Sequence, residues 1–291
     1  MKIPFVKMHA CGNDFILMDE VKARLVKKQE RRRFAKHTCK RYTSIGADGV
    51  IFLSKTRGKD EEFAARFFMP DGSEAEMCGN GARCIAAYAV DIGMASTGKQ
   101  IGIVAMDRTI RASVIWQRRN TFMVEASMGR PKLKPREVPV EATGDSFIRR
   151  KILVPVVGEM EVTALSTGVP HAVIFVDDVE KVDVEGLGRA IRYMREIFPQ
   201  GTNVNFVEFN GVLRVRTYER GVEHETLSCG TGVTASVAAA YLAGRVKANR
   251  PLGVVTRGCR MTVTVIANGS EIETIVLRGP AEIAFHGEVN L

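Results

Sequence analysis

The feature that most constrains the fold of this chain is an internal repeat. SEAEMCGNGARCIAAYA at 73–89 aligns with HETLSCGTGVTASVAAA at 224–240, so that Cys78 falls on Cys229, a shift of 151 residues (229 minus 78). Each copy follows a strand-like segment and opens a helix of small residues. Because the shift is close to half of the 291-residue chain, the repeat predicts two similar domains, each presenting one Cys-Gly-x-Gly turn.

The helix after each turn is apolar on nearly every side. Ala, Ile and Val dominate 82–90 in the first copy, and Ala, Val and Leu dominate 233–242 in the second. A helix without a polar face must be enclosed by other elements. The sequence therefore predicts an α/β (α+β) fold with two pseudo-symmetric domains. Each domain is expected to be a strongly curved, mostly antiparallel sheet or barrel around a central helix.

Hydrophobic periodicity predicts the positions of the elements. The predicted helices are 29–38, 80–92, 184–197 and 231–246. The predicted strands of the first half are 3–6, 50–53, 65–68, 110–116 and 121–125. Those of the second half are 151–157, 161–165, 172–176, 204–209, 213–218, 261–266 and 271–277. The proline-rich stretch 129–139 is interpreted as a connection near the middle of the chain.

Composition and charge are those of a globular protein. Apolar residues make up 45% and charged residues 26%, and no apolar stretch is long enough to cross a bilayer. No secretory signal is recognised, so a cytoplasmic location is expected. The net charge of +9 is local, because 21–41 holds ten basic residues and one acid. We interpret this run as a solvated helix face, since no nucleic-acid motif or aromatic interleaving accompanies it.

Two of the six cysteines, Cys78 and Cys229, are placed to be reactive. No CxxC spacing signals a metal site, and in a reducing cytoplasm all six are expected to be thiols. A cysteine directly before a helix meets the positive end of the helix dipole and several backbone N–H groups, which stabilise the thiolate. The glycines let the backbone approach a ligand closely, and the same N–H groups hold a carboxylate.

Two such turns facing each other would place a sulfur on each face of a substrate α-carbon. This geometry suits racemisation, in which one thiolate removes the α-proton and the opposite thiol returns a proton to the other face. The N–H groups would stabilise the extra negative charge on the carboxylate of the planar intermediate. No covalent intermediate, cofactor or metal is required. The structural alternative is a pair of buried cysteines in a duplicated core turn.

The motifs resemble those of the diaminopimelate epimerase family, whose members act in lysine synthesis without pyridoxal phosphate. The matching stretches are MHACGNDFILMD (8–19), GADG (46–49), PDGSEAEMCGNGARC (70–84), TGVPHAVIFVDD (167–178), GTNVNFVE (201–208) and YERGVEHETLSCGTG (218–232). They cover both halves of the chain in the family's order. The two cysteine motifs together with YERG are the most specific.

The resemblance implies a reaction and the residues that carry it. It implies that LL- and meso-diaminopimelate are interconverted by Cys78 and Cys229 across an interdomain cleft, with assistance from His171 and Glu219. A histidine near a thiol can take its proton, and a carboxylate can orient an ammonium group. The implied substrate-binding residues are Asn13, Gly79, Asn80, Asn203, Glu219, Arg220, Gly230 and Thr231.

The resemblance also implies the domain limits and the partners. The C-terminal strand returns to the first domain, which gives expected domains of 1–126 plus 279–291 and 127–278. The expected partners are a small amino-acid substrate and a second copy of the chain in a homodimer. Neither nucleic acid nor a membrane is expected to bind.

Three departures from the family pattern leave the substrate open. Met69 and Val169 replace asparagines that usually touch the distal end of the substrate, and Gly49 replaces a glutamine. Arg220 remains to hold a second carboxylate in a two-pronged manner. The alternative is therefore a cofactor-independent racemase of another amino acid on the same fold. A hydrolase with one nucleophilic cysteine would leave the duplication unused, and a nucleic-acid protein would rest on the basic run alone.

Overall fold

The chain divides into two compact units. The computed structural model describes residues 2–56, 62–75, 78–106, 108–155, 157–269 and 271–290. Unit 1 comprises the residues up to Ala126 and those from Arg278 onward, and unit 2 extends from Ser127 to Leu277. Residues 76–77 of the repeat and residue 156 of a predicted strand lie outside the described residues.

The elements of the described chain follow one another in a similar order in the two units. In unit 1 they are β1 (Lys2–Ala10), β2 (Asn13–Asp19), α1 (Arg31–Thr38), β3 (Gly49–Lys55), β4 (Glu62–Phe68), β5 (Glu74–Ala75), α2 (Gly79–Asp91), β6 (Gln100–Ala105), β7 (Arg108–Arg118) and β8 (Thr121–Ser127). In unit 2 they are β9 (Phe147–Val154), β10 (Gly158–Ser166), β11 (Pro170–Phe175), α3 (Val184–Arg192), β12 (Asn203–Phe209), β13 (Leu213–Tyr218), β14 (Glu225–Thr226), α4 (Gly230–Leu242), β15 (Leu252–Val255) and β16 (Arg260–Asn268). The last strand, β17 (Glu271–Asn290), begins in unit 2 and continues into unit 1.

The strands of unit 1 close into a barrel. Among the described residues, eight strands pair in the order β1–β2–β3–β4–β6–β7–β8–β17, and β17 pairs back onto β1. The β2–β3 and β4–β6 pairs are parallel. Unit 2 repeats this pattern along β10–β11–β12–β13–β15–β16, with parallel pairs at β11–β12 and β13–β15. The expected mixed fold of duplicated, mostly antiparallel curved sheets is confirmed.

Each unit encloses one helix, as the apolar pattern predicted. In unit 1, α2 is buried over 79–89 and packs on β1, β6 and β7. In unit 2, α4 is buried over 230–240 except at Thr231, and it packs on β10 to β13 and on β16. Small alanine side chains allow this close approach of strands on every side of a helix. The helices therefore form the centre of each core and hold the cysteine turns at their N-termini.

Both central helices end at a glycine with left-handed geometry. Gly93 follows the end of α2 with φ +72°, and Gly244 follows the end of α4 with φ +70°. Glycine adopts this conformation without the steric cost of a Cβ, and it commonly ends helices. The predicted helix 231–246 was too long because Gly244 ends it at Leu242.

The repeat also includes an ion pair that leads into each cysteine turn. In unit 1, Arg66 donates two hydrogen bonds to Glu74. In unit 2, Arg216 Nε and Nη2 donate to the two oxygens of Glu225 at 2.8 and 2.7 Å. Glu74 and Glu225 are equivalent in the repeat, and in both units the pair joins a long strand to the two-residue strand before the cysteine. Such two-pronged pairs fix geometry as well as charge.

The basic run is only in part a solvated helix face. Its helix, α1, begins at Arg31 rather than at residue 29. Arg31 is buried, forms an ion pair with Glu20 and lies 4.3 Å from the centre of the Phe52 ring. An apolar periodicity does not show which basic side chains turn inward, and Arg31 does so because Glu20 offers a buried counter-charge.

The expectation that all six cysteines are thiols was wrong for two of them. Cys11 and Cys259 are disulfide-bonded. The four other cysteines, Cys39, Cys78, Cys84 and Cys229, are thiols. Spacing along the chain does not determine the redox state of a cysteine in the fold.

Candidate active site

Cys78 is the residue directly before α2. Its backbone is extended, with φ −109° and ψ 123°, and its own side chain makes no capping hydrogen bond at this helix start. The partly exposed thiol donates a hydrogen bond to Asn13 Oδ1 at 3.7 Å. The first N–H groups of a helix lack partners within the helix and carry the positive end of its dipole. This turn can therefore stabilise both a thiolate and a bound carboxylate.

Asn13 is oriented by Asp48, a residue that the sequence analysis did not identify. Asn13 Nδ2 donates to Asp48 Oδ2 at 2.8 Å, so that Asn13 Oδ1 accepts from Cys78 and, at 3.1 Å, from Asn80 Nδ2. A carboxylate only accepts, so Asp48 fixes which end of the amide faces the thiol. The available signal was the position of Asp48 directly before β3, which pairs in parallel with β2.

Two cations hold this group of carboxylates in place. Asp14 N–H donates to Asp48 Oδ2 at 3.1 Å, and Asp48 N–H donates to Asp14 Oδ1 at 3.0 Å. Arg41 donates to both carboxylates at 2.8 and 2.7 Å, and Lys7 Nζ lies 2.7 Å from Asp14 Oδ2. Burial alone raises the pKa of Asp14, but the hydrogen bonds from Arg41 and Lys7 outweigh it and hold that pKa below its ordinary value. Asp14, whose Oδ1 accepts from the backbone N–H of Asp48, therefore stays charged at neutral pH.

Arg83 is a fully buried cation one turn beyond Cys78, and the sequence analysis missed it. Its Nη2 donates to Asn80 Oδ1 at 2.7 Å, and among the described residues no carboxylate pairs with it. Burial lowers the pKa of Arg83, and Cys84 and Cys78 oppose this shift. Burial raises the pKa of Cys84 to about 12, so that thiol stays neutral. Cys78, directly before this helix, interacts electrostatically with the buried Arg83, and a nearby cation favours the thiolate form of a cysteine.

Cys229 repeats this arrangement in unit 2. It directly precedes α4, with φ −110° and ψ 109°, and its Sγ lies 3.3 Å from Thr231 Oγ1. Thr167 Oγ1 donates to the carbonyl oxygen of Thr231 at 2.9 Å, which ties the turn to the end of β10. Thr231 is the repeat equivalent of Asn80, so a hydroxyl replaces an amide beside the second thiol. A hydroxyl can donate to a thiolate or accept from a thiol.

The expected substrate residues of unit 2 lie at one end of β12 and β13. Asn203 Nδ2 donates to the carbonyl oxygen of Pro170 at 2.8 Å, and its Oδ1 accepts from the backbone N–H of Arg220 at 2.8 Å. Asn203 therefore shapes the turn that presents Arg220. Glu219 Oε2 accepts from Thr226 Oγ1 at 2.8 Å, which directs its carboxylate toward the strand before Cys229.

His171 lies deeper than an edge histidine. It is fully buried on β11, and its Nδ1 lies 3.1 Å from Asn205 Nδ2. Burial, and to a smaller extent the nearby Arg220 cation, lower the pKa of His171 to about 3. An imidazole with this pKa is neutral at pH 7 and does not take a proton from a thiol. The catalytic role of His171 stays a prediction. In this environment its neutral ring can donate a hydrogen bond.

This burial predicts a pH-dependent contribution to stability. Below the ordinary pKa of 6.5, the unfolded chain binds a proton at His171 that the folded chain excludes. The free energy of unfolding should therefore fall as pH decreases from 6.5 toward 3, by about 1.4 kcal/mol per pH unit from this group. In urea unfolding, the gap between wild type and His171→Gln should narrow with that slope as pH falls. If the unfolding free energies of wild type and His171→Gln change in parallel with pH, the lowered pKa of His171 would be contradicted.

The structure brings the sequence-predicted residues together within each unit. Unit 1 gathers Asn13, Gly79 and Asn80 around Cys78. In unit 2, Gly230 and Thr231 directly follow Cys229, while Glu219 bonds to Thr226, three residues before it. Over the described part of the chain, no group of three or more His, Cys, Asp or Glu side chains is placed to hold a metal ion. The expectation of a reaction without a cofactor stays a prediction. No helix of the described residues is long and apolar enough to span a membrane.

Comparison with known proteins relates both units to one family. The family model described as diaminopimelate epimerase matches residues 5–134 and 163–284. The diaminopimelate epimerase of Methanocella arvoryzae is 44% identical over 100% of this chain and 98% of its own length. That of Archaeoglobus fulgidus is 39% identical, also over 100% and 98%.

Solved structures share the fold at low sequence identity. A phenazine biosynthesis protein of Bacillus anthracis matches with a TM-score of 0.75 and 15% identity over 100% of both chains. A probable proline racemase of Agrobacterium radiobacter matches with a TM-score of 0.73 and 14% identity over 99% of this chain and 93% of its own. The fold therefore serves proteins with different names and does not by itself define the reaction.

The matched family and the two cysteine turns place the chain in the class of amino-acid epimerases, which are isomerases. Within that class, the chain belongs to the diaminopimelate epimerase family. The family model covers both cysteine motifs, and the relatives match over the full length.

Proposed function

We propose that this protein interconverts LL- and meso-diaminopimelate in lysine biosynthesis by two-base proton transfer. The observation that carries the proposal is the paired one: each unit presents a cysteine directly before a central helix, at equivalent positions of the repeat. Inversion at carbon needs a proton carrier on each face of the α-carbon. A duplicated fold supplies two carriers, whereas a hydrolase would use only one.

In the proposed reaction, one sulfur acts as thiolate and the other as thiol. The thiolate takes the α-proton, the C–H electron pair passes into the carboxylate, and the thiol donates its proton to the opposite face. The enzyme ends with the two protonation states exchanged, so each cysteine must be stable in both. The environment of Cys78 supports this requirement, because Asn13 Oδ1 accepts from the thiol while the helix start and Arg83 favour the thiolate.

The remaining residues are proposed to bind the substrate. The N–H groups of the two turns, at Gly79 and Gly230, would hold the reacting carboxylate. Asn13 and Glu219 would receive the α-ammonium, and Arg220 would hold the distal carboxylate in a two-pronged manner. The expected domains of 1–126 plus 279–291 and 127–278 would each supply one side of the substrate site.

A racemase of another amino acid is the second candidate, favoured by Met69 and Val169. A panel of LL-diaminopimelate, lysine, glutamate, histidine and proline, assayed without pyridoxal phosphate, tests both. We expect diaminopimelate to be turned over fastest of the panel. In a second experiment in heavy water, we expect the product formed early to carry deuterium while the recovered substrate stays mostly protiated. Faster turnover of a substrate with a neutral or cationic tail would contradict the substrate assignment. Equal early deuterium in both pools would contradict two separate bases.

We also propose a cytoplasmic homodimer that binds neither nucleic acid nor membranes. Full-length similarity to biosynthetic enzymes supports this location. Disulfides such as those at Cys11 and Cys259 are uncommon in a reducing compartment. Alkylating the protein during cell lysis counts how many of its six cysteines are thiols in the cell and so tests the location. Sedimentation of the purified protein tests the homodimer.

A further inference from the structure

Asn205 is a fully buried amide in the core of unit 2. It lies on β12 two residues after Asn203, so both side chains emerge from the same face of the strand. Its Nδ2 lies 3.3 Å from the carbonyl oxygen of Ala172 and 3.1 Å from His171 Nδ1. Its Oδ1 accepts from Thr217 Oγ1 at 3.0 Å. Every polar atom of this side chain thus has a partner in the core of unit 2.

These partners determine where the proton of His171 resides. A carbonyl oxygen only accepts, so the atom facing Ala172 must be the nitrogen of the amide. The other proton of that nitrogen then points at His171 Nδ1, which must be an acceptor. A neutral imidazole carries one proton, so the proton of His171 resides on Nε2.

The Nε2–H group of His171 can donate a hydrogen bond to a further acceptor. Within the described residues, this buried nitrogen has no hydrogen-bond partner. Burying a donor without an acceptor costs free energy, so unpaired buried N–H groups are rare away from functional sites. The group is oriented by Asn205 on one side of the ring and remains available as a donor on the other.

Asn205 also touches the turn that carries Cys229. A Cβ built on Gly232 would lie 2.3 Å from Asn205 Oδ1 and 3.2 Å from Cys229 Cβ. The absence of a side chain at Gly232 therefore allows the amide of Asn205 to pack against the first turn of α4. One buried side chain contacts both the expected histidine and the turn of the expected base.

We propose that Asn205, whose amide packs against the Cys229 turn, is a positioning residue that holds His171 as a neutral imidazole with its proton on Nε2, available as a hydrogen-bond donor. The meaning of this donor for catalysis depends on the proposed function, but the tautomer itself does not. The family resemblance implies that His171 assists the cysteines. His171 then acts by donating a hydrogen bond from Nε2 rather than by taking up a proton, and Asn205 is the residue that enforces this state.

Nitrogen-15 NMR of the histidine-labelled protein tests the proposal. The chain has five histidines, and His171→Gln identifies the signal of interest. In the wild type without substrate, we expect the neutral Nε2–H pattern throughout about pH 5 to 9. In Asn205→Asp the carboxylate accepts a proton from Nδ1, so we expect a shift to Nδ1–H or to the doubly protonated ring. We also expect this variant to lose at least about 10-fold in kcat, with a smaller change in KM.

Two further variants separate positioning from general damage. Asn210→Asp makes the same change at an exposed asparagine and should leave the His171 signal and kcat unchanged. Thr217→Val removes only the hydroxyl that donates to Asn205 Oδ1 and should keep the Nε2–H pattern. If Asn205→Asp does not fold, the His171 protonation patterns of wild type and Thr217→Val still test whether the proton resides on Nε2.

An Nδ1–H or doubly protonated ring at neutral pH in the wild type would overturn the inference, as would an unchanged Nε2–H pattern in folded Asn205→Asp. Because the tautomer is measured without substrate, an Nε2–H pattern in a protein that does not turn over diaminopimelate would overturn the proposed function and leave the role of Asn205 intact.

Discussion

Alanine in place of either Cys78 or Cys229 is expected to lower epimerisation of diaminopimelate by at least about 10³-fold. Each face of the α-carbon needs its own proton carrier, so loss of one thiol blocks inversion even though the other remains. Both residues lie directly before a helix rather than within it, and alanine removes only one sulfur atom, so the fold should be retained even though Cys229 is buried. Chiral chromatography of the two stereoisomers measures the rate, and circular dichroism checks the fold.

The matched controls are two buried thiols of unit 1. Cys84 lies on the same helix as Cys78, and Cys39 directly follows α1, and burial raises the pKa of each to about 12. Neither supplies thiolate at neutral pH, so Cys84→Ala and Cys39→Ala should retain turnover within a few-fold of wild type. A Cys78→Ala or Cys229→Ala protein with wild-type turnover would disprove the two-base assignment. An equal loss in Cys84→Ala would point to damage of the helix instead.

The central helices and their cysteine turns were predictable because several levels of sequence signal agree. The repeat aligns the turns, the glycines mark a close backbone approach, and the apolar pattern requires enclosure. Polar residues within these buried elements were harder to interpret. Arg83 is the one charged residue in the buried part of α2 (79–89), and Asn205 shares a strand face with Asn203. In both cases the signal was a polar residue in a position that the pattern requires to be buried.

Strands were missed where local signals conflicted with tertiary context. β2 is buried over 15–18 and so shows an apolar run instead of alternation. Hydrophobic periodicity predicted this strand only over 271–277, and the return of a C-terminal strand to the first domain was implied only by the family resemblance. The strand continues to Asn290 because its later residues pair with β1, from His9↔Glu282 to Lys2↔Asn290. Pairing partners far away in sequence cannot be read from a local window.

The interpretation of His171 shows the limit of residue chemistry taken without burial. A histidine in a GVPH segment near a thiol motif predicts proton exchange. Its position on β11, beside Asn203 on β12, places it in the core. Residue type therefore identified a functional candidate, whereas its protonation state depended on neighbours that only the fold supplies.

The second large effect is expected from adding one methyl group at the start of a central helix. In Gly232→Ala, the new Cβ would lie 2.3 Å from Asn205 Oδ1, an atom held by Thr217. In Gly81→Ala, it would lie 2.3 Å from Phe67 Cε1 and 3.3 Å from Ile51 Cδ1. Such overpacking typically costs about 1–3 kcal/mol, so both variants should unfold at lower urea concentration than wild type.

Gly253→Ala is the matched control for these two variants. Its Cβ would meet only the methyl groups of Val212, at 3.8 and 3.9 Å, which is ordinary contact. Replacing a glycine by alanine also reduces the freedom of the unfolded chain, so Gly253→Ala should be neutral or slightly stabilising.

Gly232→Ala should in addition lower kcat, because moving Asn205 disturbs His171 while leaving Cys229 in the chain. Unchanged stability and turnover in Gly232→Ala would mean that Asn205 can shift freely, and the close contact between this amide and the cysteine turn would then have no catalytic role.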